Sequence, residues 1–289
     1  METISTRKLD TADLEQKVKH MYRDVALRPE KEYHFEMGRG LAEKLGYSKA
    51  DLDSIPSAAI ESFAGVGYYF DMAGIKDGEW VLDLGSGSGT DVFVAALKVG
   101  LTGKVCGADM TDEQLEKAER LRKENNFSQV SFHKAYIEKL PFENKSFDVV
   151  ISNGVINLCA DKGKVFTEVC RVLKPGGRMV IADIVTEKQL PENVVCNSTL
   201  WAACIGGASQ QDEYKQAIEN AGMEVLWVRN NDAYAFISKS AKGASKDYGV
   251  KSVSLLAGKN EIVKSGKGFS VCIEADFWKT KITKNVYGC

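Results

Sequence analysis

Val81-Leu82-Asp83-Leu84-Gly85-Ser86-Gly87-Ser88-Gly89 is the stretch whose reading decides the fold. An apolar run ends in an acid and then breaks into alternating glycines. This is the pattern of a buried strand that stops at a tight turn, where backbone passes close to something bound. About twenty residues on, Val105-Cys106-Gly107-Ala108-Asp109 repeats the motif of an apolar strand ending in an acid, an interval that suits a β-α-β unit. In such a unit the second acid accepts hydrogen bonds from the two hydroxyls of a ribose, so Asp109 reads as the grip on a nucleoside-type cofactor. Met110 beside it has the polarizable side chain to pack on an adenine face. A dinucleotide fingerprint asks for Gly or Ala where this chain has Thr90, and Asp83 puts negative charge at the strand tip. That charge repels a pyrophosphate and suits a cation. A nicotinamide oxidoreductase is therefore disfavoured. Asp83 has a second reading, as the cap of a nearby backbone turn.

Working outward, strand and helix alternate from Trp80 to Asp183. Thr90–Val99 reads as a helix. Thr111-Asp112-Glu113-Gln114 reads as a capping box that starts a helix running to about Asn125. Phe147–Ser152 is a continuous apolar strand. Val165, Val169 and Val172 fall on one face of a helix over 162–173, which Lys174-Pro175-Gly176-Gly177 stops before a strand over 179–182. This rhythm predicts an α/β fold with a doubly wound, mostly parallel sheet and ligands beyond the carboxyl ends of its strands. The site candidates are thus 85–89, 109–110, 152–159 and 183 onward. Upstream, residues 8–28 read as a polar-faced helix, and Gly65-Val66-Gly67 interrupts the chain just before the first core strand. Such a segment predicts an N-terminal helical lid over the cofactor. Downstream, 224–228 and 251–257 read as two closing strands. The expected organisation is a lid segment over 1–78, a cofactor-binding core over 79–185 and a substrate-side segment with the closing strands over 186–259. The extension over 260–289 is left without a role.

Composition narrows the class. The chain has 289 residues and a formal net charge of −2, without the basic footprint of a nucleic-acid binder. No segment is long and apolar enough to cross a bilayer, and Met1–Tyr22 lacks the apolar core of a signal peptide, so the expected compartment is the cytosol. Seven cysteines then read as thiols. No C-x-x-C pair occurs and there are only three histidines, so no metal cofactor site is expected. The sequence leaves the oligomeric state open.

With these pieces placed, the chain resembles the S-adenosylmethionine-dependent arsenite methyltransferase family, of the class I methyltransferases, over about residues 35–259. Four segments carry the resemblance: Val81–Gly89; Gly107-Ala108-Asp109-Met110-Thr111-Asp112-Glu113-Gln114-Leu115; Ile151-Ser152-Asn153-Gly154-Val155-Ile156-Asn157-Leu158; and Trp201-Ala202-Ala203-Cys204-Ile205-Gly206-Gly207-Ala208. The resemblance implies a Rossmann-like core and S-adenosyl-L-methionine as cofactor. Asp83, Gly85, Ser86, Gly87, Gly89, Asp109 and Met110 then belong to its site, with Ile137 and Glu138 flanking the adenine and Asn153 beside the methionine moiety. Ile137 has a second reading as plain core, and Glu138 as a solvated charge.

In this family a thiol of the Cys-Ile/Leu-Gly-Gly-Ala segment binds arsenic, which assigns Cys204 to the acceptor side. Cys196, eight residues earlier, reads either as its partner or as packing. Cys159, after the fourth strand, reads as core or as a third thiol. Trivalent arsenic is soft and selects thiolates, and its free lone pair needs no general base. Cys106 and Cys170 read as small core residues and Trp201 as packing. The family's Gly-Cys-Gly turn carries Val66 here, so its usual three-thiol site is not present. The expected acceptor is arsenite or its thiol conjugate. The alternatives are a small organic acceptor, or a non-catalytic protein that binds S-adenosylmethionine or a metalloid.

Overall fold

The computed structural model describes residues 9–197, 200–201, 205–264 and 269–272. The sheet order is β3-β2-β1-β4-β5-β8-β7, built from β1 (Trp80–Leu84), β2 (Lys104–Asp109), β3 (Val130–Lys134), β4 (Phe147–Asn153), β5 (Leu173–Thr186), β7 (Met223–Asn230) and β8 (Lys251–Lys259); a short β6 (Ser209–Gln210) pairs with β5. Strands β1 to β6 pair in parallel, while β8 runs antiparallel to β5 and to β7. The expected doubly wound, mostly parallel sheet is therefore present, closed by an antiparallel pair.

Period-two alternation feeds two cores. Val81, Val149, Ile151, Val180 and Ala182 point to one face, and Leu82, Leu84, Val150, Met179 and Ile181 to the other. Helix α6 (Thr90–Val99) covers the first face with the N-terminal helices. Helices α8 (Lys162–Val172) and α10 (Gln211–Asn220) supply Val165, Phe166, Val169 and Ile218 to the second. Burial on both sides is why the strands are apolar throughout. The connection changes direction between β1 and β4, the neighbours that open the crevice of such sheets.

The N-terminal segment forms α1 (Thr11–Leu27), α2 (Gly38–Leu45), α3 (Lys49–Asp53), α4 (Ser57–Glu61) and α5 (Phe70–Ala73). Helix α1 starts where Asp10 accepts hydrogen bonds from the amides of Ala12 and Asp13. Beyond β8, an antiparallel pair, β9 (Glu261–Lys264) and β10 (Phe269–Cys272), occupies part of the stretch left without a role.

Two local expectations fail for physical reasons. Helix α7 (Asp112–Glu124) begins after Thr111, but Thr111 makes no side-chain cap. Its amide donates to Asp109 Oδ1 at 2.8 Å, and Gln114, released from the box, reaches Ser88 and the Tyr22 carbonyl instead. The Pro175-Gly176-Gly177 stretch does not delay β5. Phe147 pairs with Leu173 and Val149 with Arg178, so the intervening residues bulge from the ladder, with Gly176 at a φ of 75°.

Arg178 fastens this sheet to the N-terminal segment. Its guanidinium is buried, pairs bidentately with Glu79 at 2.9 and 2.8 Å, and donates to the Ala73 and Gly74 carbonyls. Truncating one partner of a buried pair strands the other charge, at about 3–5 kcal/mol. Arg178→Ala is expected to lower unfolding free energy by about that much in urea titration. Lys174→Ala, on a half-exposed pair with Asp148, is expected to cost about 0–1 kcal/mol.

Candidate active site

A cavity of about 240 Å³ opens at the carboxyl ends of β1, β2 and β4. Its floor is the glycine turn. Gly85 lies at a φ of 67°, and a Cβ there would stand 2.4 Å from Val155 Cγ2, so only glycine fits. The Gly85 and Ser86 amides both donate to the Ala108 carbonyl, at 2.7 and 3.1 Å, which ties the turn to the tip of β2. Gly89 stands behind the turn as the N-cap of α6 and is not among the lining residues; a Cβ on it would press on Phe93 and Phe132 at 2.9 Å.

Asp83, Gly85, Ser86, Gly87, Asp109, Met110, Ile137, Glu138, Asn153 and Cys159 all line this one cavity. Asp109 is buried and accepts from the Gly87 amide through Oδ2 at 2.9 Å and from the Thr111 amide through Oδ1 at 2.8 Å. Each oxygen keeps a second lone pair for an incoming hydroxyl. Burial raises its pKa, against the hydrogen bonds that lower it. Asp83 is 2% exposed and accepts no hydrogen bond from any described residue, so it does not cap a turn. Burial first, then the charges of Asp91 and Asp109, push its pKa well above the ordinary carboxylate range. The Ser86 hydroxyl is also buried without a partner among the described residues. An unpartnered carboxylate and hydroxyl, a second acid and a glycine cradle fit a cationic amino acid joined to a nucleoside.

Asn153 has a second task. Its Oδ1 accepts from the Val66 amide at 2.8 Å, and its Nδ2 donates to the Gly67 carbonyl at 3.0 Å and to Asp91 Oδ2 at 3.1 Å. It therefore clamps the Gly65-Val66-Gly67 turn against the end of β4, with Val66 buried. Sequence reasoning missed Asp91, an acid in the first turn of α6 that also lines the cavity. The N-terminal helical segment expected as a lid supplies the roof. Leu14, Glu15, Val18 and Tyr22 of α1 close the cavity, and Tyr136 donates to Glu15 at 2.7 Å while accepting from Lys19 at 2.6 Å. Helix period placed α1 and the lid expectation put it over the cofactor, but neither named the side chains that make the contact.

Of the candidate acceptor thiols Cys159, Cys196 and Cys204, Cys159 alone is found in the cavity lining among the described residues. Cys159 lies beside the Glu138 carboxylate, and burial, then that charge, raises its thiol pKa well above the usual value. Lys162 donates to the Cys159 carbonyl at 3.0 Å and sits 4.9 Å from the centre of the buried Trp201 ring. Burial lowers the Lys162 pKa. Asp183, at 1% exposure, accepts from Tyr214 at 2.6 Å; burial nevertheless pushes it up to about 6. Cys196 follows the short helix α9 (Glu192–Val195) and is not among the lining residues. Cys204 lies outside the described residues. Cys106 and Cys170 pack against the second core as expected. Among the described residues, no group of His, Cys, Asp and Glu could hold a metal ion, and no helix is long and apolar enough to cross a membrane.

The family model described as a methyltransferase domain matches residues 75–222. An arsenite methyltransferase of Halobacterium salinarum is 39% identical over 191 residues, covering 66% of this chain and 49% of the relative. The arsenite methyltransferase of Homo sapiens is 46% identical over 138 residues, 45% of this chain and 37% of the relative. The chain thus spans about half the length, or less, of these curated relatives. Among solved structures, an arsenic(III) S-adenosylmethionine methyltransferase from Chlamydomonas reinhardtii superposes with a TM-score of 0.61 at 32% identity, covering 73% of this chain and 72% of that one. The chain belongs to the methyltransferase-domain family and, within it, to the arsenite methyltransferases.

The raised Asp183 pKa has a testable sign. A native pKa of about 6 against an ordinary 3.8 means the folded state holds its proton more tightly. The resulting stabilisation is complete below the unfolded value and is lost as pH rises through about 6, a swing of about 3 kcal/mol. Asp183→Asn is expected to remove this component. In urea titrations at pH 4.5 and 7.5, the variant's stability should move upward relative to wild type at the higher pH.

Proposed function

We propose that this chain is an S-adenosylmethionine-dependent methyltransferase whose acceptor is trivalent arsenic held on thiols. The observation that carries the reading is Asp83, a desolvated carboxylate without a hydrogen-bond partner among the described residues, at a glycine-pinched strand tip. It opens on the same cavity as a thiol, Cys159. Once bound, the donor supplies an electrophilic methyl on a sulfonium. Asp109 is assigned the ribose hydroxyls, Met110 and Ile137 the adenine faces, and Glu138 the adenine edge. Gly85, Ser86 and Gly87 bring backbone and a hydroxyl to the amino-acid end, beside Asp83 and Asn153; Gly89 serves by shaping the turn. The α1 roof excludes water, which competes as a methyl acceptor.

On the acceptor side, Cys204 with Cys196 or Cys159 presents the arsenic with its lone pair toward the methyl. Holding donor and acceptor in near-attack geometry is worth about 7–11 kcal/mol, and no proton need leave the arsenic. A cytosolic setting, where these cysteines stay reduced, and a small-molecule rather than nucleic-acid partner complete the reading. A second reading, a small organic acceptor, is favoured by the buried Val66 where the family's cysteine stands and by Cys196 lying off the cavity lining.

The test is incubation with S-adenosylmethionine, glutathione and arsenite, with arsenic species separated by chromatography and detected by mass spectrometry. Methylated arsenic is expected, falling by at least about tenfold in Cys204→Ser, a loss of about 1.4 kcal/mol of transition-state stabilisation. Undiminished donor binding with no methylated arsenic would transfer the reading to an organic acceptor.

A further inference from the structure

Lys162 is a cation in an unfavourable place. It opens α8, where the helix dipole opposes positive charge, and no acid occupies that first turn beyond the capping Asp161. It is half-buried, and desolvation lowers its pKa. An ammonium has three hydrogens to donate. Among the described residues it meets one carbonyl, that of Cys159 at 3.0 Å, and the face of the Trp201 ring at 4.9 Å. Those two contacts lie on different segments. Cys159 follows the 3-10 turn Ile156–Leu158 and lines the cavity. Trp201 belongs to the stretch that runs from Cys196 to Ala208. The residue is buried, and its ring lies across the glycine pair: a Cβ on Gly206 would stand 2.3 Å from it and one on Gly207 2.6 Å. Gly207 also abuts the turn, since its Cβ would come within 1.9 Å of the Asn157 carbonyl. The Ile205 and Gly206 amides donate to the Leu200 carbonyl at 2.9 and 3.0 Å, which ties the glycine pair to the residue before Trp201.

We infer that Lys162 is a positioning residue for acceptor capture, a latch whose ammonium holds the Trp201 segment against the turn that leads to Cys159. An apolar side chain of the same length would fill the space without the cost of desolvation, but it would neither bind the carbonyl nor attract the ring. With the latch closed, the segment that follows Cys196 is fixed at the Cys159 edge of the cavity before any acceptor arrives. Capture then orders less chain, and the acceptor meets the donor from a defined side. Lys162 touches neither donor nor acceptor in this scheme and acts through Trp201 and the Cys159 carbonyl. The inference rests on the reading that thiols of these segments take trivalent arsenic.

Lys162→Met keeps the length and removes the charge. Steady-state methylation at varied arsenite and varied S-adenosylmethionine should show the arsenite KM raised about tenfold and the S-adenosylmethionine KM within about twofold of wild type. Lys162→Arg, which still stacks on the ring and donates to the carbonyl, should recover most of the loss. The losses in Lys162→Met and Trp201→Phe should fall short of additive when combined, because both act on one contact. Hydrogen exchange followed by mass spectrometry reads the latch without turnover. Exchange at Ile205–Ala208 should speed up about fivefold in Lys162→Met and stay unchanged over β1 and β4. An unchanged arsenite KM, equal rises in both KM values, or additive losses in the double variant overturn the inference. Absence of methylated arsenic from wild type that still binds S-adenosylmethionine overturns the acceptor reading instead. The exchange measurement then judges the latch by itself, and unchanged protection at Ile205–Ala208 overturns it.

Discussion

Three acids buried around one cavity, at two strand tips and in the first turn of α6, are the constraint around which this molecule is arranged. Asp83, Asp91 and Asp109 line one cavity, each at most 9% exposed, and no Lys or Arg among the described residues forms an ion pair with any of them. The effective penalty for taking one ion out of water is several kcal/mol. The fold offsets it unequally: two backbone amides for Asp109, two tyrosine hydroxyls and an amide for Asp91, and nothing for Asp83. The deficit left at Asp83 is the part of the site that a cation completes. Stability given up there is binding energy held in reserve.

That arrangement binds parts of the chain that look separable. Tyr47 and Tyr69 come from the N-terminal segment, yet their hydroxyls reach an acid in the first turn of α6. Asn153 at the end of β4 clamps the turn around Val66. Arg178 of β5 holds the Ala73 and Gly74 carbonyls from the far side. The expected division into a lid over 1–78 and a core over 79–185 therefore describes the order of the chain better than its mechanics. The residues before β1 supply two of the three donors that offset the burial of Asp91.

What the sequence revealed, and what it withheld, follows from the range of the forces involved. The β1–β4 core was legible because double-sided burial writes itself as continuous apolar runs, and because Gly85 has no alternative beside Val155. Asp109 was legible from its interval after the glycines. Asp91 was not, since an acid two residues into a helix reads as an ordinary partner of the helix dipole. Its hydroxyl partners stand 44 and 22 residues away, without local pattern. The capping box at Thr111 misled for the same reason. Gln114 satisfies the local rule, but Ser88 Oγ at 2.5 Å and the Tyr22 carbonyl at 2.8 Å outcompete it. The thiols were countable but could not be placed. Cys159 reaches the cavity because the 3-10 turn Ile156–Leu158 ends just before it, and Cys196 does not reach it.

The roof shows how magnitudes divide holding from release. Helix α1 carries visible polar contacts at its surface: Lys17–Asp13, Lys19–Glu15 and Arg23–Glu113. These side chains are largely open to solvent, and such pairs contribute about 0–1 kcal/mol each. Leu14 and Val18, each 3% exposed, are worth about 1.5–3 kcal/mol apiece when fully buried. The apolar face therefore holds α1 down, and the Tyr136 contacts with Glu15 and Lys19 chiefly set where it lands. Val25, fully buried, and Ala26 extend the same buried face toward the end of the helix, and the carbonyls of Tyr22, Val25 and Ala26 accept from Gln114, Ser62 and Lys117, so the whole of α1 is held far more firmly than its surface ion pairs alone would hold it.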